Sequence, residues 1–269
     1  MAYRDFARPE FSRRDHAVED WLGWLDEQSL VHPVAPVPAG ACIRCFGAVG
    51  GLRYDGRPFD ECSVCHGVAD DPLDGFVPIA YSTDDTLESM LHRFKDWPRY
   101  QWGDCSWLKF PLGVLLAEFW RQHHRCLART YGDFDLTVAV PGDDSVREFD
   151  HLAELNNVLG HPTLNLIEDI VERNPAETRP RRQEVRASAY TILRPGLVRD
   201  ARVLLVDDTW TSGASMRSTA ATLRSAGATS VVGLTLGRQL NATSGFGTTD
   251  LILGQLSDRA DDGRCILCA

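Results

Sequence analysis

The pattern of apolar positions predicts helices and strands in alternation along most of the chain. Near the N-terminus, five apolar residues recur at helical spacing and predict an amphipathic helix: Val18, Trp21, Leu22, Leu25 and Leu30. From residue 73 onward, short apolar runs typical of buried strands alternate with segments of helical periodicity. The predicted strands are 77–81, 135–141, 201–208 and 230–238, and the predicted helices are 85–97, 111–131, 151–159 and 214–228. Such alternation favours an α/β protein with a mostly parallel sheet flanked by helices.

Six of the eight cysteines occur as C-x-x-C pairs. Sixteen residues separate the pair Cys42 and Cys45 from the pair Cys62 and Cys65, which is the spacing of a four-cysteine zinc site. Because four thiolates fill a tetrahedral site and leave no position for a catalytic water, this spacing predicts structural zinc. Four unrelated buried cysteines are the alternative.

Cys265 and Cys268 form the third pair, near the C-terminus. Two thiolates alone do not make a structural zinc site, so this pair needs ligands from elsewhere in the chain, a partner chain, or no metal. His66, Cys105 and Cys126 are the candidates within the chain, and the sequence does not choose among them.

These patterns divide the chain into four predicted segments. They are an N-terminal helical segment at 1–36, a small zinc ribbon at 37–72, an α/β domain at 73–245 and a C-terminal tail at 246–269.

The net charge of −10 argues against a surface built mainly to bind nucleic acid, although a local basic groove stays open. The first residues lack the apolar stretch of a signal peptide, and no apolar run reaches the roughly 20 residues of a membrane helix. We therefore expect a cytoplasmic protein with no membrane partner, and the sequence leaves a homo-oligomer open. Cytosolic disulfides are uncommon, which further favours metal at the paired cysteines.

The stretch VLLVDDTWTSGAS, residues 203–215, joins a buried strand to a helix through a loop of small and hydroxyl-bearing residues. In parallel α/β sheets, ligands bind at the carboxyl ends of strands, and a helix start offers unpaired N–H groups to an anion. Gly213 allows close approach of the backbone, and Thr211, Ser212 and Ser215 add hydroxyl donors. This loop therefore predicts a phosphate site.

Asp207 and Asp208 stand directly before the loop, where they would repel a phosphate that they faced. Carboxylates accept hydrogen bonds from a vicinal diol, so the acidic pair and the loop together predict a site for a ribose 5-phosphate. A strand followed by an aspartate-capped helix is the alternative, but a cap accounts for only one of the two aspartates.

This stretch resembles the phosphoribosyl pyrophosphate (PRPP) signature of type I phosphoribosyltransferases: four apolar residues, an acidic pair, two variable residues and a Thr/Ser-Gly-x-Ser/Thr loop. With the four-cysteine ribbon, the helix LESMLHRFKDWP and the strand VAVP, residues 40–240 are similar to the ComF-like, competence-associated branch. Two features depart from the family: Thr209 and Trp210 replace small aliphatic residues, and Asp143 and Asp144 follow VAVP. Trp210 fits either stacking on a base or packing in the core.

The resemblance implies a type I phosphoribosyltransferase-like fold and transfer of 5-phosphoribosyl from PRPP to a small-molecule amine or nucleobase, with release of pyrophosphate. Asp207 and Asp208 would bind the ribose hydroxyls, and Mg²⁺ would bridge pyrophosphate and sugar. The 5′-phosphate would be held by Thr211, Ser212, Gly213, Ala214 and Ser215. A variable hood, built from the N-terminal region, the ribbon or residues 239–269, would choose the acceptor.

Four arginines cluster in the polar segment 172–186, where the family carries a mobile loop: Arg179, Arg181, Arg182 and Arg186. Guanidinium groups suit bidentate contact with phosphate oxygens, so we expect Arg181 and Arg182 to act on the leaving pyrophosphate, with Arg147 as the next candidate. An ordinary solvated loop is the alternative. Lys95, on a predicted helix, is expected to be a surface charge.

The sequence leaves two other functions open. One is a PRPP- or nucleotide-sensing regulator without catalysis, which the acidic turn at Asp143 and Asp144 favours. The other is a ComF-like accessory protein in DNA uptake, which the negative net charge disfavours. Because the ribbon lies far from the predicted PRPP loop in sequence, we expect it to stabilise the fold rather than contact the site.

Overall fold

A computed structural model describes residues 4–11, 17–83, 86–97, 102–142, 149–241, 247–256 and 263–268. Its strands are β1 (His32–Pro33), β2 (Gly75–Ser82), β3 (Leu136–Ala139), β4 (Val171–Arg173), β5 (Tyr190–Ile192), β6 (Arg202–Trp210) and β7 (Ser230–Gln239). Its α-helices are α1 (Val18–Glu27), α2 (Ser63–His66), α3 (Leu87–Asp96), α4 (Lys109–Tyr131), α5 (His151–Asn156), α6 (Pro195–Val198), α7 (Ala214–Ser225) and α8 (Thr249–Leu256).

The central sheet has five strands in the order β1-β2-β7-β6-β3. The pairs β2–β7, β6–β7 and β3–β6 are parallel, and only the short edge strand β1 runs antiparallel to its neighbour β2. This arrangement confirms a mixed α/β protein with a mostly parallel sheet flanked by helices. A four-cysteine group near the N-terminus is also confirmed.

Both faces of the sheet are covered, as its continuous apolar strands require. Alternate residues of β6 enter different cores: Leu204 and Val206 face the core that includes α1, α3 and α4. Val203 and Leu205 face the core that includes α7 and the four-cysteine segment. This alternation decides which side chains reach each side of the sheet at the end of β6.

Residues 163–173, whose apolar pattern is ambiguous, end in β4, and β4 pairs antiparallel with β5 in a separate two-stranded ribbon. The arginine-rich segment 172–186 therefore begins in β4 and continues into the connection between β4 and β5, outside the central sheet. Among the helices of the described ranges, none combines the length and apolar character needed to cross a membrane.

Candidate functional site

The loop predicted to bind phosphate lies between the end of β6 at Trp210 and the start of α7 at Ala214. Gly213 occupies the N-cap position of α7 with φ +79°, in the left-handed region that favours glycine. A Cβ atom at this position would overlap the ring of Trp210. Trp210 itself is buried against Phe76, with 4.1 Å between the ring centroids, so the structure shows it as a packing residue.

A cavity of about 290 Å³ opens over this loop. It is lined by Arg179, Pro180, Asp207 and the residues from Thr209 to Met216. Arg179 Nε lies 3.4 Å from Ser215 Oγ and donates a hydrogen bond to it. The structure therefore brings one acidic side chain, the hydroxyl-bearing loop, the N-terminus of α7 and a guanidinium group to one cavity.

Asp208 lies on the other side of the sheet and does not belong to the described lining of this cavity. It is buried, with its Oδ2 atom 2.6 Å from Lys95 Nζ and 2.9 Å from His151 Nε2. The expectation that Lys95 is a surface charge is wrong, because α3 packs against the sheet and leaves only 8% of Lys95 exposed. Sequence reasoning also missed His151, the first residue of α5, which Asp150 caps by accepting from Ala153 N.

The pKa values of the two adjacent aspartates shift in opposite directions. Burial and the charge of Asp208 raise the pKa of Asp207 to about 8. Burial alone would also raise the pKa of Asp208, but the charges of Lys95 and His151 hold it well below its usual value. Near neutral pH, Asp208 is therefore an anion fixed beneath the sheet end, and Asp207 is a carboxyl group that holds its proton.

The arginines of the segment 172–186 have different partners. Arg179 reaches Ser215, whereas Arg186 is held by Glu177, Glu184 and Thr178. Arg181 and Arg182 are both exposed, and Arg182 lines a second, neighbouring cavity. Asp143, Asp144 and Arg147 lie outside the described residues.

The second cavity has a volume of about 550 Å³ and shares Trp210, Thr211 and Ser212 with the first. Its other walls come from the four-cysteine segment, the arginine-rich segment, the end of β7 with the two residues after it, and the start of α8: Cys45, Ala48, Gly50, Cys62, Ser63, Val64, Arg182, Arg238, Gln239, Leu240, Asn241 and Thr249. The loop after β6 is therefore a partition between two adjoining cavities.

The first two cysteine pairs converge on one buried point. The ligand atoms of Cys42, Cys45, Cys62 and Cys65 lie within 4.8 Å of one another, and Cys45 Sγ is 3.7 Å from Cys62 Sγ. Zinc–sulfur bonds of about 2.3 Å in a tetrahedron place neighbouring sulfur atoms about 3.8 Å apart. This group can hold a metal ion such as zinc.

The pKa values of the four thiols shift in different directions. Hydrogen bonding within the group, chiefly with Cys42, lowers the pKa of Cys45 well below its usual value and that of Cys62 to about 6. The same contacts raise the pKa values of Cys42 and Cys65. A metal ion would bind all four as thiolates, because it competes with their protons.

Two buried arginines connect this cysteine group to the loop after β6. Arg217 Nη2 lies 3.2 Å from Cys65 Sγ, and its Nη1 donates to Ser212 O at 3.3 Å. Arg238 Nη2 lies 3.4 Å from Cys45 Sγ, and its Nη1 donates to the carbonyls of Trp210 and Thr211 at 3.2 and 3.3 Å. The expectation that the ribbon stays away from the loop is therefore wrong, since distance in sequence does not limit contact across a folded sheet.

These contacts also orient the loop. In a trans peptide, the carbonyl and the following N–H group point in opposite directions. Because the carbonyls of residues 210–212 accept from the two guanidinium groups, the N–H groups of Thr211, Ser212 and Gly213 point away from the cysteine group. The loop thus presents donors on its other side.

The third cysteine pair also has partners. His123, Cys126, Cys265 and Cys268 form a second group whose ligand atoms lie within 4.8 Å of one another, and it can likewise hold a metal such as zinc. Of the three candidates that the sequence offered, Cys126 is present in this group. His66 and Cys105 are not among its members, and His123 was missed although it lies one helical turn before Cys126.

Comparison with known protein families found none that matches this sequence, and comparison with curated proteins likewise found no match.

The raised pKa of Asp207 predicts a pH-dependent stability. A carboxyl group with a higher pKa in the folded than in the unfolded state binds its proton more tightly when folded, so stability falls as pH rises from about 4 through about 8. Asp207→Asn cannot ionise, and its melting temperature should exceed that of the wild type by a margin that widens from about pH 6 to about pH 9. Calorimetry across this range checks it, and a margin independent of pH would contradict the assignment.

Proposed function

We propose that the protein is a type I phosphoribosyltransferase-like enzyme of the ComF-like kind, which binds PRPP and transfers its 5-phosphoribosyl group to a small amine or nucleobase. One observation carries the proposal. The loop from Thr211 to Ser215 and the carboxyl group of Asp207 line the same cavity at the carboxyl end of a parallel strand, where α/β proteins bind ligands.

The chemistry of the cavity lining supports a sugar phosphate. Loop N–H groups, the hydroxyls of Thr211, Ser212 and Ser215, the start of α7 and the guanidinium of Arg179 suit the 5′-phosphate. Asp207 suits the ribose hydroxyls, because a carboxyl group with a pKa of about 8 can accept or donate a hydrogen bond. Asp208 would support the site from the other face of the sheet, where its carboxylate holds Lys95 and His151 in position.

Displacement of pyrophosphate from C1 of the ribose by the acceptor nitrogen develops positive charge on the sugar and negative charge on the leaving group. Asp207 would steady the sugar, and the exposed guanidinium groups of Arg181 and Arg182 would meet the pyrophosphate when the hairpin segment closes. Catalysis would then depend on positioning and charge neutralisation rather than on a covalent intermediate.

Mg²⁺ would arrive with the substrate. This ion is usually bound through one or two carboxylates together with substrate phosphates. Asp207 is the one acidic side chain among the described residues of the cavity lining, and its raised pKa leaves it uncharged near neutral pH, which fits an ion carried by pyrophosphate better than a resident one. When bound, Mg²⁺ supplies neutralisation of the pyrophosphate charge.

The second cavity is the proposed acceptor site. It adjoins the first across Trp210, Thr211 and Ser212, and the four-cysteine segment and the end of β7 form its walls. This position agrees with a hood built from the ribbon and the residues after 239. Binding of PRPP without pyrophosphate release to any acceptor would favour the sensing alternative over the enzyme.

The four-cysteine group would hold structural zinc. Four thiolates and Zn²⁺ carry a net charge of −2, and Arg217 and Arg238 supply two buried positive charges at the sulfur atoms. The metal would thereby stabilise the fold and also keep the PRPP loop oriented through the same two arginines.

The first test is PRPP binding measured by calorimetry with Mg²⁺. Asp207→Asn keeps the side-chain shape but can neither ionise nor donate through a carboxyl O–H, and it should weaken PRPP by roughly ten- to a hundredfold. Glu27→Gln, an exposed carboxylate at the end of α1, is the matched control and should bind as the wild type does. Equal affinity in Asp207→Asn and the wild type would refute the ribose assignment.

A parallel variant separates the two aspartates. Asp208→Asn leaves Lys95 and His151 without their buried anion, so it should lose about 3–5 kcal/mol of stability. Chemical denaturation measures this loss, which Asp207→Asn should not show.

The second test addresses the arginines with an assay for PRPP-dependent pyrophosphate release over a panel of amines and bases. Arg179→Ala should weaken both PRPP and ribose 5-phosphate, because Arg179 lies against Ser215 in the phosphate cavity. The double change of Arg181 and Arg182 to Ala should lower turnover by roughly a hundredfold, with little effect on ribose 5-phosphate affinity. Full turnover in that double variant would show the segment to be an ordinary solvated loop.

The third test is Cys62→Ser. It should release about one zinc ion per chain and lower the melting temperature. Because Arg217 and Arg238 connect the cysteine group to the loop, it should also weaken PRPP binding. Cys105→Ser, a buried cysteine outside both groups, is the control. Unchanged zinc content in Cys62→Ser would exclude the site.

A further inference from the structure

The last described residues lie against the long helix α4. Cys265 is 6% exposed and belongs to the core on that side of the sheet, and Ile266, Leu267 and Cys268 pack against it. Arg129 Nη2, near the end of α4, lies 3.5 Å from Leu267 O. Residues 265–268, the C-terminal knuckle, therefore pack at a defined position on α4.

His123 and Cys126 form the other half of this contact. They lie three positions apart on α4, so their side chains share one face of the helix. His123 is 7% exposed, and its ring packs against Phe119 with 4.9 Å between centroids. The helix thus offers one imidazole and one sulfur toward the knuckle.

The distances among these side chains are those of a tetrahedral metal site. Cys268 Sγ lies 3.5 Å from Cys265 Sγ, 3.7 Å from Cys126 Sγ and 3.6 Å from His123 Nδ1. Around a tetrahedral zinc ion, adjacent sulfur atoms are about 3.8 Å apart and a sulfur and a nitrogen about 3.6 Å apart. A disulfide needs sulfur atoms about 2.05 Å apart, so the arrangement differs from an oxidised pair.

We propose that His123, Cys126, Cys265 and Cys268 bind a second zinc ion, separate from the four-cysteine group. Three thiolates and one imidazole fill the coordination sphere and leave no open position, so the site is structural. The N–H group of Cys265 donates to Cys268 Sγ at 3.3 Å, a contact that stabilises thiolate charge.

With this site, the C-terminal region would be attached to the rest of the protein at both ends. Upstream, Gln255 of α8 exchanges hydrogen bonds with the backbone of Ala39, and Thr248 Oγ1 donates to Gly40 O. Downstream, the second zinc would join the knuckle to α4, with Cys126 and Cys268 142 positions apart in the sequence. The C-terminal residues would thereby be attached at two places, to the segment before Cys42 and to α4.

Zinc content of the purified full chain tests the proposal. The wild type should hold about two zinc ions per chain, Cys126→Ser about one, and the control Cys105→Ser about two. His123→Cys replaces one ligand type with another and should keep the second ion, whereas His123→Ala should lose it. Cobalt substitution should give thiolate charge-transfer bands from both groups, and Cys126→Ser should remove only part of that absorption.

Cys268→Ser near the chain end provides a second variant if Cys126→Ser fails to fold, since Cys268 is only half-buried. It too should retain about one zinc ion and a cooperative melting transition at lower temperature. Two outcomes would overturn the proposal. One is a wild type with a single zinc ion that Cys62→Ser removes completely, and the other is a Cys265–Cys268 disulfide found by mass spectrometry in unreduced protein.

Discussion

The structure depends on how two buried guanidinium groups are satisfied. Arg217 and Arg238 are 2% and 6% exposed, and neither charge is tolerable at that depth without anionic partners. Sulfur atoms of the cysteine group and Asp71, 3.0 Å from Arg217 Nε, provide those partners. Other N–H groups of the two side chains donate to backbone carbonyls: Arg217 to Ser212 O, and Arg238 to the carbonyls of Cys45, Trp210, Thr211 and Gln239. The charge balance of the cysteine group and the shape of the loop after β6 therefore depend on the same two arginines.

This arrangement explains several local features that would otherwise look unrelated. Gly47 has no side chain because a Cβ atom there would overlap the guanidinium of Arg238. The guanidinium carbon of Arg217 lies 4.8 Å from the centroid of the Trp210 ring. Gly213 also lies against this ring, and the absence of a Cβ atom there leaves room for the turn into α7. Each of these residues supports the same contact between the cysteine group and the strand end.

The elements and the loop could be predicted from sequence because their signals are local. Apolar runs identify β6 and β7, and the Thr-Ser-Gly turn between a strand and a helix identifies the loop. The burial of Lys95 could not be predicted, because α3 has ordinary amphipathic spacing and its anionic partner comes from another element. His123 could not be predicted as a metal ligand either, because an HxxC pair on a helix indicates a metal site only when a distant CxxC pair lies beside it in the fold. Alternation of side chains along a strand places Asp207 and Asp208 on opposite faces, but Lys95 and His151, the partners of Asp208, come from other elements and could not be predicted.

The order of strands has a consequence for synthesis on the ribosome. β2 pairs with β7, so β2 cannot take its place in the central sheet until residues 83–239 have been synthesised. At about 5–20 residues per second, that interval is roughly ten to thirty seconds. The four cysteines emerge early and can gather a metal ion, but Arg238 on β7 emerges late. Until β7 has been synthesised, the cysteine group therefore lacks Arg238, and the second cavity takes its final form only after that strand has joined the sheet.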